Sequence, residues 1–133
     1  MPRAAGSLKL RVHSRLKEQR LLVQSLLRLR KQLQGSLFTR YGRCGKTGCA
    51  CREGQPHGPY YVLSNRSGGA GSFAYLDKAQ VGRVRDLVRR HREFRSGLRR
   101  LQRLNRELDT LLRRYQEATI QDAHRSLALG KRT

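Results

Sequence analysis

Four side chains in this 133-residue sequence have the types and spacing for metal chemistry. They are set out as Cys44-Gly-Lys-Thr-Gly-Cys49-Ala-Cys51, then five residues, then His57. Structural zinc takes four Cys or His ligands in a tetrahedron, and three thiolates with one imidazole complete such a set. Arg43, Lys46 and Arg52 lie among them and favour thiolate over thiol. The cysteine count is odd and confined to eight residues, whereas a disulfide framework spreads an even number along the chain. The expected cofactor is therefore one zinc ion on Cys44, Cys49, Cys51 and His57. Three reduced cysteines without a metal, or a redox disulfide between two of them, are the alternatives. Cys49-Ala-Cys51 is the demanding part, because residues two apart on an extended strand lie well separated. Only a turn lets both sulfurs meet one metal. His13, His91 or His124 are substitute ligands, but they fall in predicted helix or tail.

The elements that position this motif are few. Residues 1–6 lead in, Ser7 is a candidate N-cap, and Leu8 to Gln34 follow a helical period. Leu22, Leu26, Leu29 and Leu33 form one stripe. Val12 extends the stripe backwards, with Arg15 and Gln19 interrupting it. Gly35 is a natural stop, giving a helix of roughly 40 Å. Residues 36–58 carry turn chemistry, dense in Gly, Cys and Pro. Tyr60–Ser64 and Ser72–Leu76 predict a β-hairpin across a loose turn at 65–71. An isolated hairpin is marginal in water and needs support, which a metal staple supplies. From Asp77, a candidate cap, the helical period returns. Leu87, His91, Phe94, Leu98, Leu101, Asn105, Leu108, Leu112 and Tyr115 alternate by four and three, as a heptad seam does.

The expected fold is mostly α. Two long amphipathic helices, paired as an antiparallel hairpin or coiled coil, flank a small zinc-stapled module with a β-hairpin. Four segments follow: a basic helix at 1–35, the Cys3His module at 36–76, a basic heptad-patterned helix at 77–118 and a fraying tail at 119–133. The second helix is the longer. Its spare seam, Leu87 to Tyr115, predicts a homodimer contact.

Charge argues for a polyanionic partner. The chain carries 30 Lys and Arg against 9 Asp and Glu, a net charge of +21. Most of the excess lies on the flanks, and 24 of the basic residues are Arg. Arg forks match phosphate and guanine, although codon bias also enriches Arg. DNA or RNA is the expected partner, with an anionic membrane surface second. The expected phosphate contacts are Arg40, Arg43, Lys46 and Arg52 in the module, and Arg85, Arg89, Arg92, Arg95, Arg99 and Arg103 on the second helix. Tyr60, Tyr61, Phe73 and Tyr75 either stack on bases or pack on the zinc site and helix ends, and packing is favoured for most.

No enzyme site emerges. There is no paired-carboxylate motif, and Gly45-Lys46-Thr47 lacks the preceding glycine and strand of a phosphate loop. A nucleophilic cysteine with His57 as base is conceivable, but clustered thiols favour metal. No small-molecule substrate and no membrane span are expected. The basic, acid-poor N-terminus weakly resembles a transit peptide, yet its pattern runs on into the helix. A cytoplasmic location is expected. The function expected from these residues is non-enzymatic binding of nucleic acid, as an accessory to mobile-element or recombination machinery. The alternative is a coiled-coil adaptor in a larger protein complex.

The run Gly35-Ser-Leu…Tyr41…Cys44-Gly-Lys-x-Gly-Cys49-x-Cys51…His57-Gly-Pro-Tyr60-Tyr-x-Leu63 resembles a family of short, uncharacterised prokaryotic proteins. They share a CGKxxCxC…HGPY core, a Gly-rich hairpin and a helical C-terminal stretch. The resemblance spans roughly residues 35–115. It implies the domain and the metal motif, and carries no activity with it.

Overall fold

The computed structural model describes residues 3–65 and 71–129. It is mostly helical, with a small sheet between two helices in chain order. The helices are α1 (Arg3–Leu27) and α2 (Val81–Ser126). The strands are β1 (Ser36–Gly42), β2 (His57–Asn65) and β3 (Ser72–Leu76). The described residues divide into two compact units: those up to Arg28 together with those from Arg95 onward, and Leu29–Phe94. The expected turn at 65–71 falls mostly on residues 66–70, which lie outside the described residues.

The helical unit is built on two heptad rows. On α1, Ala5, Leu8 and Leu26 are buried, and Val12, Arg15, Gln19 and Leu22 are half-buried between them. These positions alternate by three and four, so they form one stripe. α1 begins before Ser7, which sits inside the helix and not at its cap. On α2, Gly97, Leu104, Leu108 and Leu111 are buried, with Leu101 and Tyr115 half-buried. This row shares Leu101, Leu108 and Tyr115 with the expected seam, but takes its other members one residue earlier. Leu98 and Leu112 consequently stay exposed, Leu112 at 52%. A Cβ at Gly97 would run into the Leu26 side chain, so the absence of a side chain there makes room for Leu26.

Polar residues on α1 meet polar residues on α2. Gln19 Nε2 donates to Asn105 Oδ1 at 2.7 Å. Glu18 accepts from Arg100 at 2.6 Å and from Arg15 at 2.8 Å, and Arg15 also reaches Glu107 at 3.6 Å. The Arg100 hydrogen bond, aided by the Arg15 charge and opposed by partial desolvation, holds the Glu18 carboxyl below the usual range. The helix continues to Ser126, past the point where fraying was expected. Arg113–Asp109 and Arg125–Asp122 pairs line that last stretch.

Past α1, residues 28–34 leave the helix although their sequence favours it, and all but Arg28 belong to the second unit. The Leu33 amide instead donates to the Leu87 carbonyl at 3.0 Å, and Leu29, Gln32 and Leu33 are half-buried. A tertiary contact has overridden local propensity. Gly35 therefore serves the sheet and not a helix end. At φ +141 it lies against the Ser64 carbonyl, where any Cβ would collide. Residues 36–42 then form a strand where turn chemistry was expected.

β1, β2 and β3 make one antiparallel sheet in that order. Register sets Phe38 and Tyr75 on either side of Val62, and Arg40 opposite Tyr60. Val62 is the most buried residue of the unit, at 1% exposure. On the α2 side, Val81, Val84 and Val88 are buried. Asp77 caps a 3-10 turn, Lys78–Gln80, that leads into α2, through a capping box in which its amide donates to Gln80 Oε1 at 3.1 Å. No described helix is long and apolar enough to cross a membrane.

Candidate metal centre

The Cys/His cluster hangs from one end of the sheet. A register shift between Arg40 and Gly42 sets His57, the first residue of β2, opposite Gly42. Gly58 follows with φ +132 and passes within 2.8 Å of the Arg40 carbonyl, as measured from where a Cβ would stand. Only glycine fits this crossing, which fixes the point where His57 leaves the sheet. The loop from Arg43 to Pro56 then closes on itself. Cys49 N–H donates to Lys46 O, and a 3-10 turn, Ala50–Arg52, follows. Arg52 N–H donates to Cys49 O at 3.2 Å, and Gly54 N–H to Ala50 O at 3.0 Å. This turn resolves the Cys49-Ala-Cys51 problem, since it bends the chain so that both sulfurs face one point.

The ligand atoms of Cys44, Cys49, Cys51 and His57 all lie within 4.8 Å of one another. Cys44 Sγ and Cys51 Sγ are 3.5 Å apart, and Cys49 Sγ and His57 Nε2 are 3.2 Å apart. A tetrahedral zinc with Zn–S near 2.3 Å separates its sulfurs by about 3.7 Å, so these spacings fit the edges of such a site. The four residues can hold a metal ion. Cys51 is buried, Cys44 and Cys49 half-buried, and His57 lies at the surface.

The electrostatics already favour ligation. The Cys51 amide, then hydrogen bonds from Cys44, Cys51 and His57, bring the Cys49 thiol down to about 6 despite some desolvation. At Cys44, the Lys46 amide pulls down, but hydrogen bonding to Cys49 and Cys51, desolvation and the Cys49 charge together push the thiol up. The Cys49 thiol is thus ionised more readily than that of Cys44. Arg43 Nη1 donates to the Cys51 carbonyl at 2.9 Å and ties the loop back to β1.

The other expected site residues fall into separate places. Arg40 is exposed on the sheet and donates to Tyr75 Oη at 3.1 Å. Lys46 and Arg52 are exposed on the loop. Arg85, Arg89 and Arg92 line a groove with Leu37, Phe38, Thr39, Tyr61 and Val88. Of these three arginines, Arg89 pairs with Asp86 at 2.7 Å. In the helical unit, Arg95, Arg99 and Arg103 are exposed on α2. Arg103 joins Arg11, Arg15, Arg106 and Arg114 around a cleft that Glu107 also lines. The expected phosphate contacts did not include Arg11, Arg15, Arg106 or Arg114. Arg11 and Arg15 stand four apart on α1, a spacing that puts both on one side. Among the described residues, Arg85, Arg92, Arg95, Arg99 and Arg103 make no ion pair. Of the substitute ligands, His91 lies in α2 with a buried Nε2 that lacks a hydrogen-bond partner among the described residues.

No curated protein and no solved structure shows a significant match to this chain. A family model described as Domain of unknown function (DUF6788) matches residues 13–86, which includes most of α1, the whole Cys/His loop, the sheet and the start of α2. With more than half of its length matched, the chain belongs to this family of unknown function, DUF6788.

Proposed function

We propose that the protein is a non-enzymatic binder of nucleic acid, in which a zinc ion on Cys44, Cys49, Cys51 and His57 fastens the small unit. The observation that carries this reading is the set of exposed arginines without carboxylate partners. Arg85 and Arg92 serve in one unit, and Arg95, Arg99 and Arg103 in the other. Faces that only meet solvent mix their charges, and a face with this bias binds a polyanion. The helical unit supports the display. As α1 positions descend from Leu26 to Arg15, their α2 partners rise from Gly97 to Glu107, which favours an antiparallel helix pair. The polar layer around Gln19 and Asn105 would set its register. Zinc suits the donor set, because soft thiolates with imidazole select it over harder cations. A cytoplasmic place beside mobile-element or recombination machinery belongs to this reading and rests on the nucleic-acid grip alone.

The test is binding of a labelled duplex across a salt series. Log affinity should fall linearly with log salt, and Arg99→Ala should reduce the slope by about 0.9. Absence of binding at low salt to both the duplex and a single strand would refute the proposal. A second reading, an adaptor or homodimer, draws on the exposed Leu98 and Leu112. It predicts protein partners that survive nuclease treatment unchanged.

A further inference from the structure

One face of the sheet gathers aromatic rings that the phosphate contacts above do not use. Register places Phe38, Tyr60, Phe73 and Tyr75 on the same side, around the buried Val62. The rings stand in two edge-to-face pairs. Phe38 and Phe73 have centroids 6.4 Å apart at 86°, and Tyr60 and Tyr75 6.4 Å apart at 88°. They hold one another in place, as aromatic pairs of this geometry do. Yet they are not covered, since Phe73 is 67% and Tyr75 61% exposed. Packing on the zinc loop and helix ends was the expectation for most of Tyr60, Tyr61, Phe73 and Tyr75, but only Tyr61 is half-buried and the other three are exposed. Arg40 crosses the face to Tyr75 Oη with four further N–H donors to spare. Arg40, Arg43, His57, Tyr60 and Tyr75 share one shallow groove at the end nearest the loop. Apart from Glu53, residues 36–65 and 71–76 contain no acid.

An exposed aromatic surface edged by guanidinium groups matches one partner chemistry well: bases freed from pairing, on a phosphate backbone. We infer that the Phe38–Tyr60–Phe73–Tyr75 face is a stacking platform for the unpaired bases of a single-stranded nucleic acid, with Arg40 and Arg43 on its phosphates. The inference rests on the nucleic-acid reading and narrows it to single strands. A duplex keeps its bases stacked inside and cannot use the platform.

The experiment compares a fluorescein-labelled mixed-sequence strand of about 15 nucleotides with the same strand annealed into duplex. Phe73→Leu and Tyr75→Leu keep apolar bulk and remove the ring, and helix content by circular dichroism checks folding. The single strand should bind the unmodified protein more tightly than the duplex. Each leucine variant should weaken single-strand binding by about five- to a hundred-fold and leave the duplex within about two-fold. Tyr75→Trp should keep the affinity, and its indole fluorescence should be quenched as the strand saturates. This readout also serves if a leucine variant fails to fold. Duplex binding with no single-strand preference, and no quenching in the Tyr75→Trp variant, would overturn the platform and leave the phosphate reading standing. No binding of either form would remove both. Ring-dependent binding to anionic lipid vesicles, or self-association lost in the leucine variants, with no strand bound, would assign the face to another occupant and overturn the inference.

Discussion

The two units reach order by different means. In the helical unit, buried side chains recur every three or four residues along α1 and α2, and acids near the interface are matched by Arg15 and Arg100. In the sheet unit, the Cys/His loop has a single buried residue, Cys51, among fourteen between Arg43 and Pro56. Burial alone cannot hold so short and polar a loop, whereas a metal bound only by the folded form can. Composition by itself therefore does not locate stability. The two units have nearly the same share of apolar residues, yet the helical one orders them by periodicity, whereas the sheet unit carries four side chains that could hold a metal ion.

Removing the metal should set the two units furthest apart. Chelation, or Cys51→Ser, should abolish amide protection from Arg43 through His57 in hydrogen exchange, while protection in α1 and in α2 beyond Arg95 persists. Collapse of both together would show that the units are not independent in stability. The converse experiment is Leu108→Ala, which leaves a cavity in the helical row. It should cost about 2–5 kcal/mol in urea unfolding of that unit and leave the metal bound. Gly97→Val should cost about 1–3 kcal/mol by forcing Leu26 away, seen in the same urea transition.

These experiments also touch what the sequence disclosed and what it hid. The Cys3His cluster was legible because all four residues fall within a single short stretch, where local spacing carries the geometry. The α1 stripe was legible from Val12 to Leu26, but its end was not. Residues 28–34 are helix formers, and the Leu33–Leu87 hydrogen bond that unwinds them is a long-range event. On α2 the sequence offers leucines on both sides of the Leu101–Leu108–Tyr115 row. Choosing Leu98 and Leu112 over Leu104 and Leu111 was a phase error. Gly97 was the signal, since a lone glycine inside a helical pattern can mark a close approach. β1 was missed because the glycines at 42, 45 and 48 drew attention from the alternation of Leu37, Phe38, Thr39, Arg40 and Tyr41. The turn for Cys49 and Cys51 was required by the chemistry and is supplied by Ala50–Arg52.

The smallest expected effect concerns pH. Glu18 titrates below the usual carboxylate range in the folded helical unit because the ionised form is hydrogen-bonded to Arg100. Its contribution is complete above the pH at which an unfolded Glu ionises. It is lost as pH falls through the lower folded value. Thermal melts of Glu18→Gln should therefore show a shallower loss of stability on acidification than the unmodified protein, with the two converging at the acid end. An identical slope would mean that the Glu18 pairs contribute nothing, as for many exposed ion pairs.

Whether ligand chemistry holds the Cys/His loop is decided most directly by the metal content of the purified protein, measured by mass spectrometry alongside Cys49→Ser and His57→Ala. About one equivalent of zinc per chain is predicted, with loss in both variants. Fewer than about half an equivalent in the unmodified protein, or full retention in both variants, would contradict a zinc-fastened loop.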